Sequence, residues 1–186
     1  MFDNLEKLLL ISCKGSMWKS FKKQPLNEKH ELIEMAVCFL DLKSLEENVI
    51  DYIIKPQNSK ISKFCTKHTG LTQEDVDKGV FFEVASRELL TSHFAADHIH
   101  AGWGLYGRRQ IKKQCEDAKI PYPFSPNYIN LQLLFSLFYG LDKFVSLEEA
   151  LKIAFPEEKF EHIRASDELK NLSKLTIHLI QKIRTK

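Results

Sequence analysis

The chain has 186 residues, of which 44% are apolar and 28% charged, with a formal net charge of +2. That length suits one domain with a full core, and the mixture excludes a disordered or fibrous chain. The small charge excludes a histone-like electrostatic binder, while a local basic groove stays open.

In chain order, residues 7–13 read as a buried strand, with Leu8 to Ile11 apolar in a row. Ser12, Cys13 and Lys14 follow at its carboxyl end, where an open α/β sheet collects ligands and catalytic groups. "HELIEMAVCFLDL" (30–42) and the β-branched "NVIDYIIKP" (48–56) are two more strands, and their short connection predicts antiparallel neighbours. After Pro56 the period becomes helical, with Ser59 as a cap, Gly70 as a stop, and a second helix starting at Thr72 ahead of Gln73, Glu74 and Asp75. "FFEVASRELLTSHF" (81–94) is an amphipathic helix with Phe82, Ala85, Leu89 and Phe94 near one face. A strand over 96–103, a helix over 104–118, a strand over 128–130 and helices near 131–139, 146–154 and 166–184 complete the chain. The expected fold is α/β: a mixed five-stranded sheet flanked by helices, in a single domain over 1–186.

Cys13, Cys38, Cys65 and Cys115 stand far apart without a Cys-x-x-Cys pair, which argues against a structural zinc or a disulfide framework. No segment approaches the ~20 apolar residues of a bilayer span, and the amino terminus is too short in apolar residues for a signal peptide. A cytoplasmic protein without membrane association is the expectation.

"TGLTQEDVDKG" (69–79), "GWGLYGRRQ" (102–110) and "EHIRASDELKNL" (161–172) together carry a resemblance. The sequence resembles the DEDDh 3′-5′ exonucleases of the ribonuclease H-like fold, in the branch of the histone-mRNA exonuclease and the bacterial sporulation-kinase-pathway inhibitor proteins. The resemblance implies an Asp-x-Glu on the first strand, a second Asp on a central helix, and a His followed five residues later by an Asp at the last helix. Four such carboxylates would hold two Mg²⁺ or Mn²⁺ ions while the histidine takes a proton from water. Carried onto this chain, the first pair falls on Ser12 and Lys14 and the central Asp on Gly107, with His162 and Asp167 as the retained positions.

An intact site presents roughly −4 to two dications, whereas these positions sum to near zero. Lys14 would also repel an arriving dication by about 8 kcal/mol at ~4 Å and an effective dielectric of ~20. The expectations are therefore no metal, no cofactor and no enzyme: an exonuclease-family domain that has lost two-metal catalysis and binds nucleic acid without cleaving it. Lys14 is expected to pair with Asp167, the bland alternative being a lysine that snorkels to solvent. His162 without a metal-bound water reads as a helix-start residue, Trp103 as core support, and His98 and His100 as packed or exposed rather than a metal pair. Arg108, Arg109, Lys112 and Lys113 form either a solvated helix face or, with Lys14, a phosphate-tracking groove for single-stranded RNA or DNA. A regulatory domain with a protein partner is the alternative, and a residual exonuclease recruiting Asp3, Glu31, Glu34 or Asp97 is the third reading.

Overall fold

The computed structural model describes residues 6–184. Its strands are β1 (Lys7–Gly15), β2 (Leu32–Asp41), β3 (Glu47–Lys55), β4 (Val80–Phe81), β5 (His100–Gly102) and β6 (Tyr128–Asn130). They form one mixed sheet in the order β4-β3-β2-β1-β5-β6. β2 and β3 pair antiparallel, as their short connection predicts, and β1 pairs antiparallel with β2, while β5 and β6 run parallel to β1 and β4 runs parallel to β3. The sixth strand, β4, escapes a period-two pattern because it has 2 residues and runs straight into a helix.

The helices are α1 (Lys63–Thr69), α2 (Gln73–Asp77), α3 (Phe82–Thr91), α4 (Tyr106–Ala118), α5 (Leu131–Phe138), α6 (Leu147–Ala154) and α7 (Ala165–Arg184). Ser62 rather than Ser59 caps α1, accepting from the Cys65 N–H, and Gly70 ends that helix at φ 71°. A Thr72–Asp75 capping box starts α2. The strand expected over 96–103 shortens because Ala95–Asp97 forms a 3₁₀ turn, and Phe94 before it is left-handed and exposed instead of lying on the apolar face of α3. Among the described residues no helix is long and apolar enough to cross a membrane.

Alternation along β1 decides what reaches each face. Leu9, Ile11 and Cys13 pack against Phe82 and Ala85 of α3 and Ile111 and Cys115 of α4. Leu8 and Leu10 point the other way and pack under Leu169 and Leu172 of α7. Each such buried leucine contributes about 2 kcal/mol. Ser12 and Lys14 continue that second face, in register with Ala36 and Glu34 of β2. The apolar stripe beneath α7 thus turns polar at the carboxyl end of β1. There the chain order splits, β2 to one side and β5 to the other, and opens a crevice.

Candidate active site

Ser12 and Lys14 meet the first turn of α7. The Ser12 hydroxyl donates to Glu168 Oε2 at 3.0 Å. The Lys14 ammonium contacts Glu168 Oε1 and reaches the His162 carbonyl at 3.3 Å. With the Lys14 side chain 13% exposed, it does not snorkel out to solvent. Nor does it meet Asp167, whose Oδ2 accepts from the Arg164 backbone N–H at 3.0 Å and starts the helix. One helical residue rotates a side chain by about 100°, so the neighbouring acids serve different partners. With Glu168 as the acid that faces β1, a histidine five residues earlier would fall on Ile163, which is exposed. His162 offers Lys14 its carbonyl, while its Nδ1 lies 3.3 Å from Asn171 Nδ2.

Opposite Lys14 on β2, Glu34 is fully buried. Its Oε1 accepts from the Arg164 guanidinium at 2.8 Å and its Oε2 from the Ala165 N–H at 2.8 Å. Glu31 is spent on the Gln57 and Asn58 backbone N–H groups. Asp97 precedes the amino end of β5, away from the crevice, and Asp3 lies outside the described residues. Neither Glu31, Glu34 nor Asp97 therefore rebuilds the missing ligand set, and among the described residues no group of three His, Cys, Asp or Glu is placed to hold a metal.

Gly107, in the first turn of α4, sits against Cys13: a Cβ there would lie 3.3 Å from the Cys13 Sγ. Burial, with Glu168 nearby, pushes the Cys13 thiol up to about 12, so the thiol is held protonated at neutral pH. Ser12, Lys14, Gly107 and Glu168 offer one carboxylate, already matched by an ammonium. As placed here, these side chains do not fit a pair of divalent ions.

The basic residues of α4 divide between two sides. Arg108 Nη2 donates to the Pro126 carbonyl at 3.1 Å, and its guanidinium lies 5.1 Å from the Tyr128 ring centre. Lys112 Nζ lies 5.3 Å from the Tyr122 ring centre. Behind them His100 is fully buried, stacked on Phe124 and 3.1 Å from the Tyr122 hydroxyl. Burial first, then the charge of Arg108, pushes the His100 pKa down to about 4. His98 packs edge-on to Phe39 instead, so the two histidines do not pair. Trp103 supports the core, with its indole N–H donating to the Val145 carbonyl at 3.2 Å.

Lys113 lines a second groove with Trp18, Gln24, His30, Tyr106 and Gln110, and Arg109, four residues before it on α4, is exposed. His30 Nδ1 contacts the Ser16 carbonyl and its Nε2 lies 2.9 Å from the Tyr106 hydroxyl. A carbonyl can only accept, so in the neutral ring Nδ1 carries the proton and Nε2 accepts from Tyr106. Burial pushes the Tyr106 phenol up, which keeps that donor protonated. Tyr106 also lines the cavity shared by Ser12, Gly107, Arg108 and Glu168, so its ring is a wall common to both spaces. Trp18 and His30 lie in no motif, and Tyr106 and Glu168 lie within the stretches 102–110 and 161–172 with no role that the sequence assigns them; only the packing of α4 and α7 onto β1 brings them to this place.

The chain is 26% identical over 173 residues to the 3′-5′ exoribonuclease 1 of Rattus norvegicus, covering 84% of this chain and 49% of that one. It is 28% identical over 137 residues to the probable 3′-5′ exonuclease KapD of Bacillus subtilis (strain 168), covering 72% and 64%. The chain thus spans about half the length of the first relative. Among solved structures, the nuclease domain of 3′hExo, a DEDDh family member, bound to rAMP, superposes with a TM-score of 0.80 at 20% identity, covering 97% of this chain and 94% of that one. The fold is the ribonuclease H-like one. These relatives are 3′-5′ exonucleases, and the family's chemistry depends on divalent cations. The expectations of a non-enzyme and of no cofactor are therefore corrected, because altered side chains at a few positions do not take a chain out of an enzyme family. A family model described as Exonuclease (RNase_T) matches residues 20–167, and the chain belongs to the DEDDh 3′-5′ exonuclease family.

Proposed function

We propose that this domain takes the 3′ end of a single-stranded nucleic acid into the groove running from Ser12 and Glu168, past Tyr106, to Trp18 and Lys113. The observation that carries this reading is that Tyr106 lines both spaces, so that they lie side by side along the start of α4. Trp18 and Tyr106 offer aromatic surface on which any base can stack, and such stacking tolerates every sequence. Lys113, with the exposed Arg109 next along α4, supplies positive charge for backbone phosphates. Arg108 lines the Ser12 end, where its charge rests over the Tyr128 ring. The nucleotide in the solved nuclease domain of 3′hExo supports the same class of ligand.

The test is fluorescence anisotropy of short single-stranded RNA and DNA, with free or phosphate-blocked 3′ ends, over a range of salt. Binding should weaken as salt rises, weaken further with Lys113→Glu, and prefer the free 3′ end. No binding of either oligonucleotide at low salt removes the reading. Gel analysis of the same mixtures with Mn²⁺ scores hydrolysis separately from binding.

A further inference from the structure

The Lys14 ammonium lies among oxygen atoms. Glu168 Oε1 touches it, the His162 carbonyl accepts from it at 3.3 Å, and the Ser12 hydroxyl closes the other side of the same carboxylate at 3.0 Å. Carboxylate, carbonyl and hydroxyl oxygens are the donors that hard divalent cations take. Here the occupant is a monovalent cation tethered to β1. Another carboxylate on this face, Glu34, is engaged on both oxygens by Arg164 and the Ala165 N–H. An ammonium and a dication cannot both sit against Glu168, since like charges at contact distance repel strongly even in a screened environment.

We infer that Lys14 is a tethered competitor for a divalent cation at Glu168: a cation ligates Glu168 only when the Lys14 ammonium is displaced or removed. The contest is between two cations for one carboxylate, so its outcome is independent of whether nucleic acid binds the groove.

The experiment titrates Mn²⁺ alone into the full chain, with bound metal read by electron paramagnetic resonance and folding checked by circular dichroism. Lys14→Met, which keeps the stem and removes the charge, should bind Mn²⁺ at least about tenfold more tightly than the unsubstituted protein. Adding Glu168→Gln should cancel that gain. Equal affinity in the unsubstituted protein and Lys14→Met, or a gain that survives Glu168→Gln, overturns the inference. Lys14→Gln serves if Lys14→Met does not fold. A further arm needs no change at Lys14: Glu168→Gln alone should leave Mn²⁺ binding unchanged, and a drop in that single variant shows metal on Glu168 with Lys14 in place, which also overturns it.

Discussion

The Ser12 hydroxyl and the Glu168 carboxylate, 156 residues apart in the chain, meet at 3.0 Å. With Lys14 on the other carboxylate oxygen, one acid fastens the start of α7 to the end of β1. The polar side chains at the carboxyl end of β1 thus contribute to holding two elements of the fold together.

Glu168→Gln should cost about 1–2 kcal/mol, less than a fully buried pair because both side chains keep some exposure. Asp167→Ala should cost about 1 kcal/mol through the lost contact with the Arg164 N–H. Urea unfolding of a double-mutant cycle separates the two. Lys14→Met should couple to Glu168 by at least about 0.5 kcal/mol and to Asp167 by less. Coupling to Asp167 alone would contradict the geometry.

Glu34 is the more demanding charge, since it is fully buried against Arg164. Glu34→Gln should destabilise by about 2–4 kcal/mol, because the guanidinium loses its partner in a partly desolvated place. The double change Glu34→Leu with Arg164→Met should recover most of that loss. Thermal melts of the single and double variants check both, and a double variant no better than the single would show that the cost lies in shape rather than charge.

The frame of the fold was legible because its strands advertise themselves: the apolar run of β1, the long β2 and the β-branched β3 each keep their pattern over 9 or 10 residues. β4 did not, with 2 residues. At the site, Ser12, Lys14 and Gly107 could be singled out from the sequence, but the partner of Lys14 could not. Asp167 and Glu168 are adjacent, and His162 suggests a frame in which Asp167 faces the strand. Only the rotation of α7, fixed by its buried Leu169 and Leu172, puts Glu168 there instead. Glu34 did leave a signal, a lone acid inside an otherwise apolar strand, which must find a cation when buried.

His100 makes a prediction about pH. Its folded pKa of about 4, set mainly by burial, lies below the unfolded value of about 6.5. Between those values the unfolded chain binds the extra proton, so the contribution of His100 to stability is full above about pH 6.5 and is lost as pH falls toward 4. The loss reaches up to about 3 kcal/mol. His100→Gln keeps a polar partner for Tyr122 and cannot titrate. Urea unfolding from pH 7 to 4.5 should show a shallower decline in that variant than in the unsubstituted protein. Parallel declines would mean that His100 is already charged in the folded state.

Gly15 tests whether the contact between His30 and Tyr106 shapes the groove. A Cβ at residue 15 would lie 2.3 Å from His30 Cε1 and 2.9 Å from the Tyr106 hydroxyl, so Gly15→Ala must push the imidazole off both of its hydrogen-bond partners. The cost should be about 1–3 kcal/mol, in the range of overpacking in a tight place. Adding His30→Ala removes the clash and should restore much of the stability. It cannot restore the hydrogen bond that holds the Tyr106 hydroxyl, so affinity for a single-stranded oligonucleotide should stay reduced in the double variant while its melting temperature recovers. Melting and anisotropy on the same samples distinguish the two effects. If affinity returns together with stability, the His30–Tyr106 contact is packing alone and the groove owes its shape to other residues.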